Sequence, residues 1–361
     1  MNQIYASIKD VAARAGVSFQ TASKVLNGQS GVVSPTTNER ILGAARELGY
    51  VPNALARGLV QQASTTIGIL SDDFSDAAIG RFVTGAQHSV DRAGHTALVV
   101  STPPGGDHST PLRRLQEHRV QGILVIAPTL EGDPRLAEAL PRTVPLVSLS
   151  HIAGTKVPVV GSDHRRTGAL VAEHLASLGH TKVATITGSW NRQVTHSRLK
   201  GFRTALDAVG VTLEPTAVVE GDWTSAGGRA ATHRLLDAHN RITAIFAHND
   251  VMALGVLRAL TERGLRVPDD CSVAGCDDLE IAEFLSPPLT TVRIPFEDTG
   301  AHAAAQLLRL IGGEKVPARS LLPVTFVGRA STARPPPRRR STPRPNATKK
   351  PSRNTGRQER S

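Results

Sequence analysis

Short apolar stretches alternate with helical patterns from residue 66 onward, and this alternation constrains the fold more than any other feature. The apolar stretches predict strands at residues 67–70, 97–100, 122–127, 183–187, 244–247 and 272–275. Amphipathic patterns between them predict helices, among them residues 165–178, 198–209 and 251–263. Strands separated by helices pair in parallel, so we expect parallel sheets flanked by helices. The stretch is long for one such unit, which favours two α/β lobes in tandem.

The N-terminal segment carries three short helical patterns separated by turn residues. Ser7 precedes the first pattern, Gly16 ends it and Ser18 precedes the second, while Ser34 and Pro35 start the third. The apolar positions that close a small core are Ile8, Val11, Ala12, Ala15, Ala22, Val25, Leu26, Ile41, Leu42, Ala45 and Leu48. Two helices joined by a tight turn indicate a helix-turn-helix, whose second helix lies in the DNA major groove.

The outward face of the second helix supplies candidate DNA contacts. Gln20 can form two hydrogen bonds with a base edge, Lys24 can donate to guanine, and the Phe19 ring can pack on a thymine methyl group. We predict these three residues as base readers. Hydroxyl and amide groups suit phosphates, and the predicted phosphate contacts are Ser7, Ser18, Ser23 and Asn27. The alternative is a plain solvated helix face, which more often carries Glu/Lys pairs.

The net charge of +11 is concentrated at the two ends of the chain. Residues 331–361 carry +9, residues 1–62 carry +3, and residues 63–330 carry −1. The nearly neutral middle argues against nucleic acid running across the whole protein, whereas the basic N-terminal segment fits a compact DNA-binding unit. Residues 331–361 contain no Leu, Ile, Val or aromatic residue, so we expect a disordered tail. It is either an inert extension or a source of salt-sensitive attraction to DNA.

Polar and aromatic residues follow several predicted strands. Ligands of open α/β sheets bind at the carboxyl ends of the strands, where carboxylates and amides can bind sugar hydroxyls and an indole ring can cover a pyranose. The sequence therefore favours a sugar or similar polyol as ligand. The candidate ligand residues at strand ends are Asp72, Asp163, Trp190, Trp223, Asn249 and Asp277.

Several classes of protein lack support in the sequence. There is no Walker loop, G-x-S-x-G elbow, dinucleotide fingerprint or metal-spaced histidine cluster. The two cysteines are too few for a disulfide framework or a four-ligand zinc site. The N-terminus does not resemble a signal peptide, which argues against a periplasmic sugar-binding protein, and no apolar run is long enough to cross a membrane. We expect a cytoplasmic protein that is not an enzyme and has no cofactor or metal.

Motifs along most of the chain resemble the lactose-repressor (LacI/GalR) family of bacterial regulators. The headpiece motifs are IKDVAARAGVS, TASKVLNG and ARELGYVPNALARGL, and those of the core are HLASLGHTKVATITG, AHNDVMALG, GLRVPDDCSVAGCDD and LSPPLTTVR. The resemblance implies a transcriptional repressor that binds a palindromic operator as a homodimer. It also implies a two-lobed core like that of periplasmic binding proteins, in which a bound effector controls DNA affinity. The tail lacks leucine heptads, which favours a dimer over a tetramer.

The resemblance also assigns roles to individual residues. Residues matching Arg198, Asn249 and Asp277 contact the effector, and the aromatic residue matching Trp223 stacks on it. Residues 52–59 match a hinge that becomes helical on DNA, and Leu59 matches a leucine that enters the minor groove. The alternative for Leu59 is packing under the core. Two departures, Cys276 in place of an aromatic residue and His164 in place of asparagine, leave the identity of the effector open.

The predicted domain layout follows from these patterns. It places a headpiece at residues 1–50, a hinge at 51–62, a core at 63–330 and the tail at 331–361. Within the core, the N-lobe takes residues 63–163 and 295–327, and the C-lobe takes 164–290. Two of the effector candidates have alternative, purely structural roles. For Asp163 the alternative is only to orient the chain where it crosses between the lobes, and for Trp223 it is to be an ordinary core residue. Asp250 and Asp278, which also follow strands, are alternatively helix caps.

Overall fold

The computed structural model of the chain describes residues 6–28, 33–51, 64–72, 74, 76–102, 106–239 and 241–337. Two compact units emerge from the contacts within it. The first comprises Met1–Asp163, Asn191–Gln193 and Pro295–Pro323, and the second comprises His164–Trp190, Val194–Ile294 and Val324–Ser361, each to the extent described. The predicted hinge beyond Val51, including Leu59, and the tail beyond Pro337 lie outside the described residues.

Three helices form the N-terminal headpiece: α1 (Ile8–Ala15), α2 (Phe19–Leu26) and α3 (Pro35–Glu47). The side chains of Ser7, Ser18 and Ser34 each accept a hydrogen bond from a backbone N–H of the helix that follows. Gly16 ends α1 in the left-handed conformation, at φ 64°. The turn to α2 is therefore short, as the helix-turn-helix pattern predicts.

The headpiece has a small core of its own, made by Val11, Ala12, Ala15, Ala22, Val25, Ile41, Ala44 and Ala45. The prediction that Leu42 and Leu48 belong to this core is wrong, because their exposed fractions are 40% and 37%. Ile41, Ala44 and Ala45 occupy the inward stripe of α3, and Leu42 lies about 100° around the helix from Ile41. Leu48 is the residue that ends the helix.

The remainder of the first unit is a parallel sheet with helices between its strands. The strands are β1 (Thr66–Ser71), β2 (Thr96–Ser101), β3 (Ile123–Ile126), β4 (Leu146–Ser148), β5 (Val159–Ser162) and β11 (Arg319–Leu322). They lie in the order β11-β5-β4-β3-β1-β2. The helices are α4 (Ala77–Arg92), α5 (Ser109–Glu117), α6 (Pro134–Ala139) and α12 (Phe296–Ile311). Successive residues of β1 and β3 enter two different apolar clusters, so both faces of the sheet are covered.

The second unit has a smaller parallel sheet in the order β7-β6-β8-β9. Its strands are β6 (Val183–Thr187), β7 (Val218–Glu220), β8 (Ala244–Ala247) and β9 (Ser272–Ala274), and a separate antiparallel pair joins β10 (Thr291–Arg293) to β12 (Thr325–Val327). The helices are α7 (His164–Ser177), α8 (Gln193–Ala208), α9 (Ser225–Ala238), α10 (Asp250–Glu262) and α11 (Ile281–Phe284). The predicted fold class, a helical headpiece followed by parallel α/β sheets, is confirmed.

The predicted boundaries near the C-terminus are wrong at two places. β12, which the N-lobe range 295–327 included, pairs with β10 of the second unit, and Phe326 packs against His174 there. The segment from Ser331, assigned to the disordered tail, remains attached to β9. The Ser331 side chain is buried and donates to the Val273 carbonyl, while the backbone N–H of Val273 donates to the Ser331 carbonyl. These two hydrogen bonds hold the segment although its composition is polar.

Candidate functional sites

The outward face of α2 presents the three predicted base-reading side chains together. Phe19 is half exposed, and Gln20 and Lys24, one helical turn apart, are exposed as well. Among the described residues, the Gln20 amide and the Lys24 ammonium make no hydrogen bond or ion pair. Their polar groups therefore remain available to a partner molecule, and their assignment as base readers stays a prediction.

The predicted phosphate contacts all have partners within the headpiece. Ser7 Oγ donates to Asp10 Oδ2 at 2.8 Å, and Ser18 Oγ lies 2.8 Å from Thr21 Oγ1. Asn27 Nδ2 donates to Ser23 Oγ at 3.3 Å. Ser7 and Ser18 thus serve first as helix caps, and their roles at phosphates stay predictions. The N-termini that they cap are positions where the helix dipole favours an anion.

Arg198 is the centre of a buried polar cluster in the second unit. Its side chain, only 4% exposed, extends from α8 and donates through Nη1 to the carbonyl oxygen of His248. Its Nη2 atom lies 3.5 Å from Asp277 Oδ1 and 3.4 Å from His164 Nδ1. A side chain on Gly168 of α7 would collide with the Arg198 carbonyl, so a glycine is required for α7 to approach α8 here. The cluster joins two of the predicted effector residues, Arg198 and Asp277.

The backbone is strained at this end of the second sheet. Trp223, Asp277 and Asp278 have φ of 71°, 122° and 54°. Residues other than glycine rarely adopt this backbone conformation. Asp278 is held by Arg293 Nε and Arg329 Nη2, each at 2.7 Å, and does not cap a helix. Burial raises the pKa of Asp278, but these hydrogen bonds outweigh it and lower the pKa overall. Such strain concentrates at functional sites.

Asn249 and Asp250 connect β8 to α10. Asn249 caps the helix, because its Oδ1 accepts from Met252 N at 2.8 Å, and its Nδ2 donates to the Trp223 carbonyl at 3.1 Å. Asp250 is the first residue of α10 and not its cap. Its buried carboxylate accepts from Thr291 Oγ1 at 2.6 Å and from Leu279 N at 2.9 Å. Burial and the Asp277 carboxylate raise the pKa of Asp250 to about 8.

Both departures from the family pattern lie in this cluster. His164, at the start of α7, lies beside Arg198. Cys276 is fully buried, and its Sγ lies 3.4 Å from Asp277 Oδ1. Burial raises the pKa of the Cys276 thiol well above its usual range, so the sulfur stays protonated. The side chains around Arg198 and Asp277 therefore differ at these two positions from those that the motif resemblance implies.

The two tryptophans occupy different surroundings. The Trp223 ring covers Gly188, where any side chain would collide with the indole, and Arg198 Cζ lies 5.9 Å from the ring centroid. Trp190 lies beside His196, with ring centroids 5.6 Å apart, and its backbone N–H donates to Glu220. Trp223 therefore adjoins the Arg198 cluster, whereas the effector role of Trp190 rests on sequence alone.

Asp72 and Asp163 belong to the first unit. Asp72 follows β1, is buried, and accepts from Thr129 N at 2.7 Å through Oδ2. Burial raises the pKa of this carboxyl, and the hydrogen bond from Thr129 offsets part of that effect. Asp163 is the last residue of this part of the unit, and its backbone N–H donates to the Leu322 carbonyl. Both effector assignments stay predictions.

His248 belongs to the Arg198 cluster, and sequence reasoning did not identify it. Its imidazole is fully buried beside Arg198, and neither ring nitrogen has a hydrogen-bond partner among the described residues. Burial and the Arg198 charge lower the pKa of His248 well below its usual value, so the ring is neutral. The sequence feature that points to His248 is its position between a predicted buried strand and Asn249. No group of three or more acidic, histidine or cysteine side chains in the described ranges could hold a metal ion.

Comparison with known proteins places this geometry in a family. A model of bacterial regulatory proteins of the lacI family matches residues 7–53, and a model of the periplasmic binding protein-like domain matches residues 172–332. The lactose operon repressor of Escherichia coli (strain K12) is 34% identical over 331 residues, which are 91% of this chain and 91% of that protein.

Solved structures agree with the sequence comparison. The lac repressor dimer bound to operator and the anti-inducer ONPF has a TM-score of 0.84 at 34% identity, and the match covers 91% of this chain and 100% of that one. The complex of the transcriptional regulator CelR with cellobiose has a TM-score of 0.68 at 33% identity, covering 90% and 99%. These proteins are named as regulators and not as enzymes. Headpiece and core match together, and the chain belongs to the lacI family of bacterial regulatory proteins.

Proposed function

We propose that this protein is a transcriptional repressor that binds a palindromic operator as a homodimer in the cytoplasm. The observation that carries the proposal is the outward face of α2, where Phe19, Gln20 and Lys24 project together and are exposed. A helix of this kind fits the major groove, where the amide and ammonium groups read base edges. The structure of a relative, the lac repressor dimer on its operator, supports the same mode of binding.

The second part of the proposal concerns control of DNA binding by a small effector. Arg198, Asp277 and Trp223 supply a guanidinium, a carboxylate and an indole face within one cluster, a set that suits a sugar or similar polyol. The relative CelR binds cellobiose. An effector that binds one state of the repressor better than the other changes operator affinity, typically by about 1–3 kcal/mol. Leu59 is proposed as the minor-groove contact on the strength of the family motif.

Operator selection with the full-length protein tests the first part. A palindrome selected from random DNA is varied one base pair at a time, and affinities are measured by fluorescence anisotropy at physiological salt. Gln20→Ala is expected to lose about 1–3 kcal/mol of discrimination at one or two positions of each half-site, because the amide reads only those base edges. Glu39→Ala, at an exposed position on α3, is the matched control. A uniform loss of affinity across all sequences would contradict base reading by Gln20.

A further inference from the structure

Three buried polar atoms in the Arg198 cluster lack hydrogen-bond partners within the described residues. They are the two ring nitrogens of His248 and the Nε atom of Arg198. Both side chains are almost completely buried, at 0% and 4% exposed. A buried polar atom without a partner costs about 1–3 kcal/mol, so three on adjoining side chains call for an explanation.

The fold places the side chains of His248 and Arg198 next to each other. His248 follows β8, and its ring lies 5.0 Å from that of Phe246. Phe246 packs against Phe202 of α8, with ring centroids 5.2 Å apart, and Arg198 lies one helical turn before Phe202. Arg198 also donates to the His248 carbonyl. Both residues therefore lie at the carboxyl end of β8, the edge at which ligands of parallel sheets bind.

The chemistry of the three atoms defines what could satisfy them. A neutral imidazole offers one N–H donor and one acceptor nitrogen, and Arg198 Nε offers a further donor. A hydroxyl group both donates and accepts, so neighbouring hydroxyls of one ligand can pair with all three atoms. A carboxylate or phosphate only accepts, which would leave the acceptor nitrogen of His248 unpaired. The Arg198 guanidinium and the Asp277 carboxylate carry opposite charges 3.5 Å apart, so the pair adds no net charge that would call for an ionic ligand.

We propose that His248 contacts the effector and determines its specificity, and that the effector is an uncharged molecule that presents hydroxyl groups to His248 and Arg198. The inference rests on the proposed function, since it adds a residue and a charge class to the same effector site. It assigns a role in recognition to the imidazole, which the motifs of the core do not indicate.

Ligand binding by the full-length protein tests the proposal. Thermal shift and calorimetry are run with neutral mono- and disaccharides including cellobiose and lactose, with galacturonate, and with hypoxanthine. We expect a neutral sugar to raise the melting temperature and the other two to have no effect. His248→Phe, which keeps a ring and removes both nitrogens, is expected to weaken binding of that sugar at least tenfold. His248→Gln, which restores a donor and an acceptor, should recover most of the affinity. His118→Phe, at an exposed position of the first unit, is the control.

The outcomes separate this inference from the proposed function. Unchanged sugar binding by His248→Phe would overturn the role of His248, and if that variant does not fold, wild-type affinity in a folded His248→Ala variant has the same meaning. Binding of galacturonate or hypoxanthine in preference to all neutral sugars, or no shift with any neutral sugar, would overturn the ligand class. Operator selection on the same preparations is independent, because loss of a specific operator would refute the repressor assignment whatever the ligand result.

Discussion

A buried carboxyl group, that of Asp250, couples the stability of the second unit to pH. Its pKa rises from 3.8 to about 8, chiefly because of burial and secondly because of the Asp277 carboxylate. Between these two pH values the folded chain holds a proton at Asp250 that the unfolded chain has released. The contribution of this group to the free energy of unfolding is therefore full below about pH 4 and falls as pH rises to about 8.

Asp250→Asn should remove this pH dependence. The amide resembles the protonated acid, because it can accept from Leu279 N while donating to Thr291 Oγ1, the partners that Asp250 contacts. We expect the stability of the variant relative to wild type to increase between pH 5 and pH 8, by at most about 1.4 kcal/mol per pH unit. Urea unfolding across this range measures the difference. Asp207→Asn, at an exposed position of α8, is the control, and parallel curves for Asp250→Asn and wild type would contradict the prediction.

Part of the Arg198 cluster could be predicted at the residue level. Arg198 and Asp277 were selected from motifs and strand ends, and the structure brings their side chains within 3.5 Å. His248 could not be selected, because its significance lies in what surrounds it: full burial, a neighbouring guanidinium and no partner for its nitrogens among the described residues. A sequence shows the chemical type of a side chain, but not whether its hydrogen bonds are satisfied.

The short turn between α1 and α2 depends on a left-handed glycine. Gly16 has φ of 64°, and a Cβ atom at this position would have no neighbour within 4 Å, so the constraint is the backbone conformation alone. Gly43, inside α3, also has open space where a methyl group would lie, but its φ is not positive. The two positions therefore differ in backbone geometry and not in packing.

Replacing these glycines by alanine should have opposite effects on the headpiece. Gly16→Ala is expected to destabilise it by about 1 kcal/mol, because a side chain disfavours the left-handed region. Gly43→Ala is expected to stabilise it by up to about 1 kcal/mol, since alanine has the higher helix propensity. Hydrogen exchange of the α1–α3 amides in the full-length protein reports both effects. Changes of the same sign would refute the distinction.

The central apolar strands could be predicted from the sequence, and two short strands near the C-terminus could not. β6 and β8 coincide with the predicted ranges, since central strands of parallel sheets are continuous apolar runs. β11 (RSLL) and β12 (TFV) were not predicted, because each is short and includes at least one polar residue. Leu42 shows the reverse error: an apolar residue next to the inward stripe of α3 that is 40% exposed.

At the scale of the whole chain, the C-terminal segment contributes hydrogen bonds to the second unit beyond the predicted end of the core. Ser331 Oγ accepts from Thr290 N at 2.8 Å, and Ala333 N donates to Ser272 Oγ at 3.0 Å. The carbonyl of Ala333 lies 2.8 Å from His180 Nε2. Residues 331–333 thus complete the hydrogen bonds of β9 and its neighbours, although their polar composition predicted a disordered tail.

Two truncations should therefore behave differently. Ending the chain after Pro337 is expected to leave the melting temperature unchanged. Ending it after Ala330 removes the partners of buried Val273 and Thr290 N–H groups, and should lower the melting temperature by at least about 3 °C. Differential scanning calorimetry compares the two with the full chain. Equal melting temperatures for both truncations would show that residues 331–333 do not stabilise the unit.

The first unit is assembled from distant parts of the chain, and this affects how it can fold during synthesis. β11 pairs with β5 across about 160 residues, and α12 contributes Ala303, Ala304 and Leu307 to the apolar cluster on one face of the sheet. A nascent chain that has emerged only as far as Asp163 lacks both. Until almost the whole second unit has been translated, α4 is present on that face without α12. The apolar side chains that α12 covers are therefore exposed in this interval, and such nascent chains are prone to aggregation and are candidates for chaperone binding.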